Sequence, residues 1–271
     1  MQKTLHRQFG IIIVGDEILS GKRVDKHLAK IIELLAARGL MLAWAEYVGD
    51  DPLRITATLQ RAFSSGDVVF STGGIGATPD DHTRQCAAAA LGARLALHPE
   101  AELLIRERMR DVAQDSGSPY EPDRADNLHR LNMGFFPEGA SIIPNPFNKI
   151  AGFSVGDVHF VPGFPVMGWP MIEWVLDTKY AQLFRQDAYV ERSVIVLGAM
   201  EALLTPLMEA IEREHVGVKV FSLPSVDHPT YGRHIDLGVK GAPEVVEPAY
   251  LQLRAGLDAL GCAVGPELKR F

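Results

Sequence analysis

Apolar residues follow two alternating rhythms over the first ninety positions. Phe9–Val14 is a continuous apolar run rich in β-branched residues that ends in Gly15-Asp16-Glu17, the pattern of a strand buried on both faces. Leu28, Ile31, Ile32 and Leu35 then recur at helical spacing between Asp25, a candidate cap, and Gly39, a stop. This predicts a helix over 26–38. A second strand is predicted over 40–48, followed by Gly49-Asp50-Asp51-Pro52. There Asp51 suits the N-cap and Pro52 the first position of a helix running to 64 on an Ile55/Leu59/Phe63 stripe. A third strand over 67–71 leads into a glycine-rich loop over 72–81 and a helix over 83–91 that ends at Gly92. Strand–helix units with right-handed crossovers imply an α/β fold, a mostly parallel sheet with helices on both faces. Ligands in such sheets bind beyond the carboxyl ends of the strands.

Further on, the pattern predicts a helix over 99–113, a polar loop or lid over 114–126 and a strand over 140–143. A hairpin over 153–161 turns at Gly156-Asp157, and a helix starting after Pro162-Gly163-Phe164-Pro165 ends near Lys179. Residues 180–188 suit a linker. The remainder reads as strand 189–197, helix 201–214, strand 217–223, a Pro/His turn, strand 234–239 and helix 243–260. The expected organisation is an α/β domain over 1–180 and a small α+β domain over 188–271.

Composition narrows the function classes. The 271 residues carry a formal net charge of -7, which argues against a nucleic acid or an anionic membrane as the main partner. Cys86 and Cys262 are too few for a disulfide scaffold or a Cys-ligated zinc site, and each suits a small buried position. The first eight residues lack the apolar core of a signal peptide. The most apolar stretch, 31–48, is interrupted by Glu33, Arg38, Gly39 and Glu46, so no membrane span is expected. These features suit a reduced, cytoplasmic protein.

The three loops at the predicted strand ends hold six carboxylates: Asp16, Glu17, Asp50, Asp51, Asp80 and Asp81. Crowded carboxylates raise one another's pKa, and a hard divalent cation such as Mg²⁺ relieves them. Beside them lies Gly73-Gly74-Ile75-Gly76, whose backbone N–H groups are free to form an anion-binding nest. A cation next to such a nest would bind and polarise a phosphate, which points to a nucleotide or a phosphate-bearing cofactor. The same residues also suit ordinary duties: Asp51 and Asp80 or Asp81 as helix caps, the glycines as turn formers. Spacing alone leaves both readings open. The Gly15–Gly21 segment is one residue too long for a P-loop and has Arg23 where Ser or Thr is needed. Gly74-Ile75-Gly76 lacks the third glycine of a dinucleotide fingerprint. The histidines lack metal-ligand spacing, and only His82 falls inside the glycine–carboxylate loop.

Ile12-Ile-Val-Gly-Asp-Glu-Ile-Leu-Ser-Gly21, Val48-Gly-Asp-Asp51 and Ser71-Thr-Gly-Gly-Ile-Gly-Ala-Thr-Pro-Asp-Asp-His-Thr83 resemble the molybdopterin-binding domain family. The likeness is to its competence/damage-inducible protein A branch. Phe136-Pro-Glu-Gly-Ala140, Ile143-Pro-Asn-Pro146 and Val161-Pro-Gly-Phe-Pro165 agree with it, and the resemblance covers nearly all of 8–178. It implies a three-layer α/β/α fold. The tail resembles the small α+β domain of that branch, while the amidase domain of many such proteins has no counterpart in this sequence.

In one branch of the family the resemblance implies binding of molybdopterin or its adenylylation in molybdenum cofactor biosynthesis. In the other it implies metal-dependent hydrolysis of a pyrophosphate in ADP-ribose or FAD. It places catalytic roles on Asp81 and Asp50, and metal contacts on Asp50, Asp81 and Asp16. Ligand contacts fall on Ser20, Thr72, Gly73, Gly74, Ile75, Gly76, Asp80, Thr83 and Asn145. Adenylylating relatives carry Arg where this chain has Asp80, and the exchange favours the pyrophosphatase branch. Relatives also tend to differ at His27, Asn148, Ala151 and Met167. The expected partner is a small-molecule nucleotide or pterin, and the expected assembly a homo-oligomer, with a dimer favoured over a trimer.

Overall fold

The computed structural model describes residues 7–184 and 190–270. Its elements run β1 (Phe9–Val14), α1 (Asp16–Leu19), α2 (His27–Ala36), β2 (Leu42–Val48), α3 (Pro52–Ser65), β3 (Val68–Thr72) and α4 (Thr83–Leu91). There follow β4 (Leu95–Leu97), α5 (Pro99–Asp115), α6 (Ala125–Leu131), β5 (Phe135–Pro137), β6 (Ser141–Ile143), β7 (Gly152–Val155), β8 (Val158–Val161) and α7 (Pro165–Lys179). The last are β9 (Val190–Leu197), α8 (Glu201–Glu214), β10 (Lys219–His228), β11 (Gly232–Gly241), α9 (Pro243–Ala259) and β12 (Ala263–Arg270). The chain divides into two units, 1–184 and 185–271.

In the first unit, six strands form a sheet in the order β2-β1-β3-β8-β7-β6 among the described residues. β2, β1, β3 and β8 are parallel, whereas β7 runs antiparallel to both of its neighbours. The strand runs of β1 and β3 are buried throughout, because each lies mid-sheet with a helical layer on either face. One layer packs Ile31, Leu34 and Leu35 of α2 with Met171, Ile172 and Val175 of α7 against Ile11, Ile13 and Phe70. The other packs Ile55 and Leu59 of α3 and Cys86 and Ala87 of α4 against Ile12, Val69 and Phe160. This is the expected α/β/α sandwich. The chain leaves β1 towards β2 and then crosses back to β3 on the other side, so the switch point lies between β1 and β3.

The second unit is an antiparallel sheet in the order β10-β11-β9-β12. Leu204 and Ile211 of α8 and Val246, Tyr250, Leu253 and Leu257 of α9 cover its apolar face. On β9, Arg192 pairs with Glu247 and Glu267 and lies over the Tyr250 ring at 4.1 Å.

Several expectations change. The Gly15–Gly21 loop contains a one-turn helix, α1. α6, β4, β5 and β12 were not anticipated, and β10 and β11 are longer than the pattern suggested. Asp25 caps α2 as expected, accepting the N–H groups of His27 at 2.8 Å and Leu28 at 3.1 Å. Tyr180–Phe184 is no linker, since Tyr180 is buried and Leu183 and Phe184 pack on the first core. The rest of that predicted segment, 185–188, and Tyr189 lie outside the described residues. Both cysteines are free, Cys86 buried and Cys262 partly so.

Candidate functional site

Six segments meet at the carboxyl pole of the parallel strands: the turns after β1, β2, β3 and β8, the loop between β6 and β7, and the short helical turn Asn132–Gly134. They enclose a cleft of about 500 Å³. Glu17, Asp50, Asp80 and Asp81 line it beside Gly73, Gly74, Ile75, Gly76, Asn145 and Arg23. Phe164, Met133 and Met167 supply apolar surface. Asp51 instead borders a separate hollow of about 430 Å³, where it caps α3 by accepting the Arg54 N–H at 2.8 Å. The six predicted carboxylates therefore split, four in the cleft and Asp16 and Asp51 on its neighbour.

Glycine builds the floor. Gly73 has φ 97°, and a Cβ there would stand 2.3 Å from the Val14 carbonyl oxygen, so only glycine lets the β3 turn cross β1. Gly73 donates its N–H to Val161 O at 3.1 Å, and its Cα lies so near Gly163 that a Cβ on Gly163 would be 3.2 Å away. Thr83 is buried and donates its hydroxyl to Gly73 O at 3.1 Å. Thr72 is buried, with its hydroxyl unpaired. Neither lines the cleft, nor does Ser20, which ends α1. These three residues, expected as ligand contacts, stand in or behind the wall. Asn145 does line it, but its amide is engaged by Asn148, Ile150 and Phe147 and shapes its own loop.

The carboxylates are individually placed. Asp16 and Asp50 are cross-linked: the Asp16 N–H donates to Asp50 Oδ2 at 2.8 Å and the Asp50 N–H to Asp16 Oδ1 at 3.2 Å. Burial holds the Asp50 carboxyl above the usual range, reinforced by the charges of Asp16, Glu17 and Asp80. Asp81 Oδ2 accepts the Thr78 N–H at 2.9 Å and its hydroxyl at 2.5 Å, and so closes its own turn instead of capping α4. The Thr78 hydroxyl also holds the Asp80 carboxyl below its usual range. His82 stands at the N-cap position of α4 with no capping bond and does not line the cleft. Among the described residues, no three His, Cys, Asp or Glu side chains approach closely enough to hold a metal ion.

Two supporting residues have a role that the sequence reading did not assign. His27, buried on α2, donates Nε2–H to the Gly163 carbonyl at 2.9 Å and fixes the turn after β8. Arg84, buried on α4, donates Nη1–H groups to the carbonyls of Ile75 and Gly76, the latter at 2.6 Å. Burial pushes its guanidinium down to about 10, still fully charged at neutral pH. A polar residue on an otherwise apolar helix face was the signal available for both.

A Gly-rich turn at the switch point of an α/β/α sheet, facing carboxylates, stands where sheets of this class bind small ligands. The family described as a probable molybdopterin binding domain matches residues 10–182, and the chain belongs to that family. A CinA-like protein of Anaeromyxobacter sp. (strain K) is 34% identical over 181 residues, a match covering 65% of this chain and 42% of that relative. The chain thus spans less than half the length of such curated relatives. A protein of Thermoplasma volcanium is 29% identical over 260 residues, covering 92% of this chain and 96% of that one. The solved structure of the protein CinA from Thermoplasma acidophilum superposes with a TM-score of 0.53 at 26% identity, covering 63% of this chain and 98% of that one. Among the described residues no helix is long and apolar enough to cross a membrane.

Proposed function

We propose that the cleft binds a nucleotide pyrophosphate of the ADP-ribose or FAD type and hydrolyses it with the help of a divalent cation. The observation that carries this reading is the juxtaposition, in one cleft, of the glycine turn with the crowded carboxylates Glu17, Asp50 and Asp80. A hard cation needs only one or two carboxylates when phosphate oxygens and water complete its shell. Without three clustered side-chain ligands, this donor set fits a cation carried in with the diphosphate, with Asp50 and Asp80 as its contacts. When bound, such a cation neutralises phosphate charge and polarises the phosphorus. Asp81 then acts by shaping the 78–81 turn through Thr78, and the turn N–H groups orient the phosphate. Hydrolysis joins water oxygen to one phosphorus, breaks the bridging P–O bond and yields two monophosphates.

The Asp81–Thr78 tie and the absence of a three-ligand cluster among the described residues favour, as a second reading, binding of molybdopterin or a nucleotide without turnover. Incubation with ADP-ribose and FAD, with and without Mg²⁺ or Co²⁺, separates the two. Turnover that requires the cation, and falls at least about a hundredfold in Asp50→Asn, is the expected result. No turnover with any cation, together with tight molybdopterin binding, establishes the second reading.

A further inference from the structure

Arg84 is 3% exposed and does not line the cleft; it lies behind the glycine turn, on the side of a smaller hollow formed with His129, Asn132 and Phe135. From there its Nη1 holds two successive carbonyls, those of Ile75 and Gly76. Among the described residues no peptide bond is cis. In a trans peptide the N–H points opposite to the C=O of the same unit. A carbonyl drawn back towards Arg84 therefore sends the following N–H forward. The Ile75 carbonyl shares its unit with the Gly76 N–H, and the Gly76 carbonyl with the Ala77 N–H. Gly76 and Ala77 both line the cleft, and Ala77 borders the hollow on the Arg84 side as well. Among the described residues, no protein acceptor meets either N–H.

The charge on Arg84 points the same way. Among the described residues no carboxylate bonds to it and its Nε has no partner, while the charge of Asp81 acts on it. A buried cation without a bonded anion is costly, and an anion arriving just across the turn offsets that cost. The acidic rim, with Glu17, Asp50 and Asp80, would otherwise repel a phosphate.

We infer that Arg84 is the positioning residue of the glycine turn: it aims the Gly76 and Ala77 N–H groups into the cleft and supplies the charge that suits them to a nucleoside diphosphate. The inference rests on the reading that this cleft accepts a nucleotide phosphate. Arg84 acts through the backbone and touches no reacting atom.

Calorimetric titration of the full chain with ADP and with adenosine, both in saturating Mg²⁺, tests it. Loss of positioning and charge weakens ADP binding at least about tenfold in Arg84→Met and leaves adenosine within about twofold, because only the diphosphate meets the turn. Arg84→Lys, which keeps charge and donors, restores most of the loss. In the wild type, the amide resonances of Gly76 and Ala77 shift with ADP and not with adenosine. Unchanged ADP affinity in a natively melting Arg84→Met, or equal loss of ADP and adenosine, overturns the inference and leaves the proposed function standing. Should Arg84→Met not fold, unshifted Gly76 and Ala77 amides in ADP-bound wild type overturn it instead. A wild type that binds neither compound removes the proposed function, and the inference with it.

Discussion

The two poles of the parallel sheet in the first unit are built on opposite rules. At the amino pole every polar group of a buried chain is answered. Tyr180 donates its hydroxyl to Asp157 at 2.8 Å, and Arg7 pairs with the same carboxylate at 3.0 Å. The Tyr180 oxygen must then accept from His159 Nε2 at 2.7 Å, which leaves Nδ1 to accept from Ser154 at 2.8 Å. One neutral tautomer satisfies the whole chain, and burial lowers His159 to about 3. At the carboxyl pole the balance is left open: carboxylates crowd one another, a guanidinium lacks a bonded anion, and Gly76 and Ala77 present N–H groups without protein acceptors among the described residues. Within one sheet, the closed pole secures the fold and the open pole leaves polar groups uncommitted. A protein of marginal stability can carry unsatisfied groups where function needs them when packing and pairing elsewhere hold the fold.

The contrast is tested most severely at the turns. Gly73→Ala forces a Cβ against the Val14 carbonyl at positive φ, so it should destabilise the unit by more than about 4 kcal/mol. Gly156→Ala, at the amino-pole hairpin with φ 57° and open space, should cost only about 1 kcal/mol. Urea unfolding followed by tryptophan fluorescence reads both, because Trp44, Trp169 and Trp174 all lie in this unit. Equal costs would dissolve the distinction between the poles.

His159→Phe should lose about 2–4 kcal/mol, since the Ser154 hydroxyl loses its acceptor and the Tyr180 oxygen its donor inside the core. Its pH dependence is the sharper test. The folded-state value of about 3 lies below the ordinary 6.5, so the unfolded chain takes up this proton first. Wild-type stability should therefore fall as pH drops from about 6.5 towards 3, at up to about 1.4 kcal/mol per unit. His159→Phe should flatten that slope, as followed by urea midpoints across the range. An unaltered slope would assign the acid sensitivity to other groups.

The smallest effect belongs to the open pole. Asp50 is held above the usual carboxylate range, so its charge opposes folding at neutral pH. Metal-free Asp50→Asn should melt roughly one or two degrees higher by scanning calorimetry. A lower midpoint would show that the cross-link to Asp16 outweighs the repulsion.

How much of this was written legibly in the chain depends on what each residue packs against. β1 and β3 are buried on both faces, so their apolar runs stand out. β12 is an edge strand with mixed exposure and a proline, and its Ala-Val-Gly-Pro-Glu-Leu-Lys-Arg reads as a polar tail. α1 buries no residue and is too short for any period to show. The glycine turn and the acidic loops were legible because glycine and aspartate cluster there with no need of apolar packing. Their division between two hollows was not, because it depends on the Asp16–Asp50 cross-link across 34 positions. Arg84 and His27 act on backbone carbonyls of distant turns, and a side chain's target leaves no trace in spacing.

The approach of Gly73 to Gly163 also bears on folding. These glycines stand ninety positions apart, yet the turn after β3 takes its shape from the turn after β8, through the Gly73–Val161 bond and this near-contact. Contacts of such long range form late, after the entropy of closing the intervening loop has been met. A growing or half-folded chain that lacks β8 has no completed glycine turn. A ligand seated on that turn would then stabilise only molecules whose sheet is assembled as far as β8.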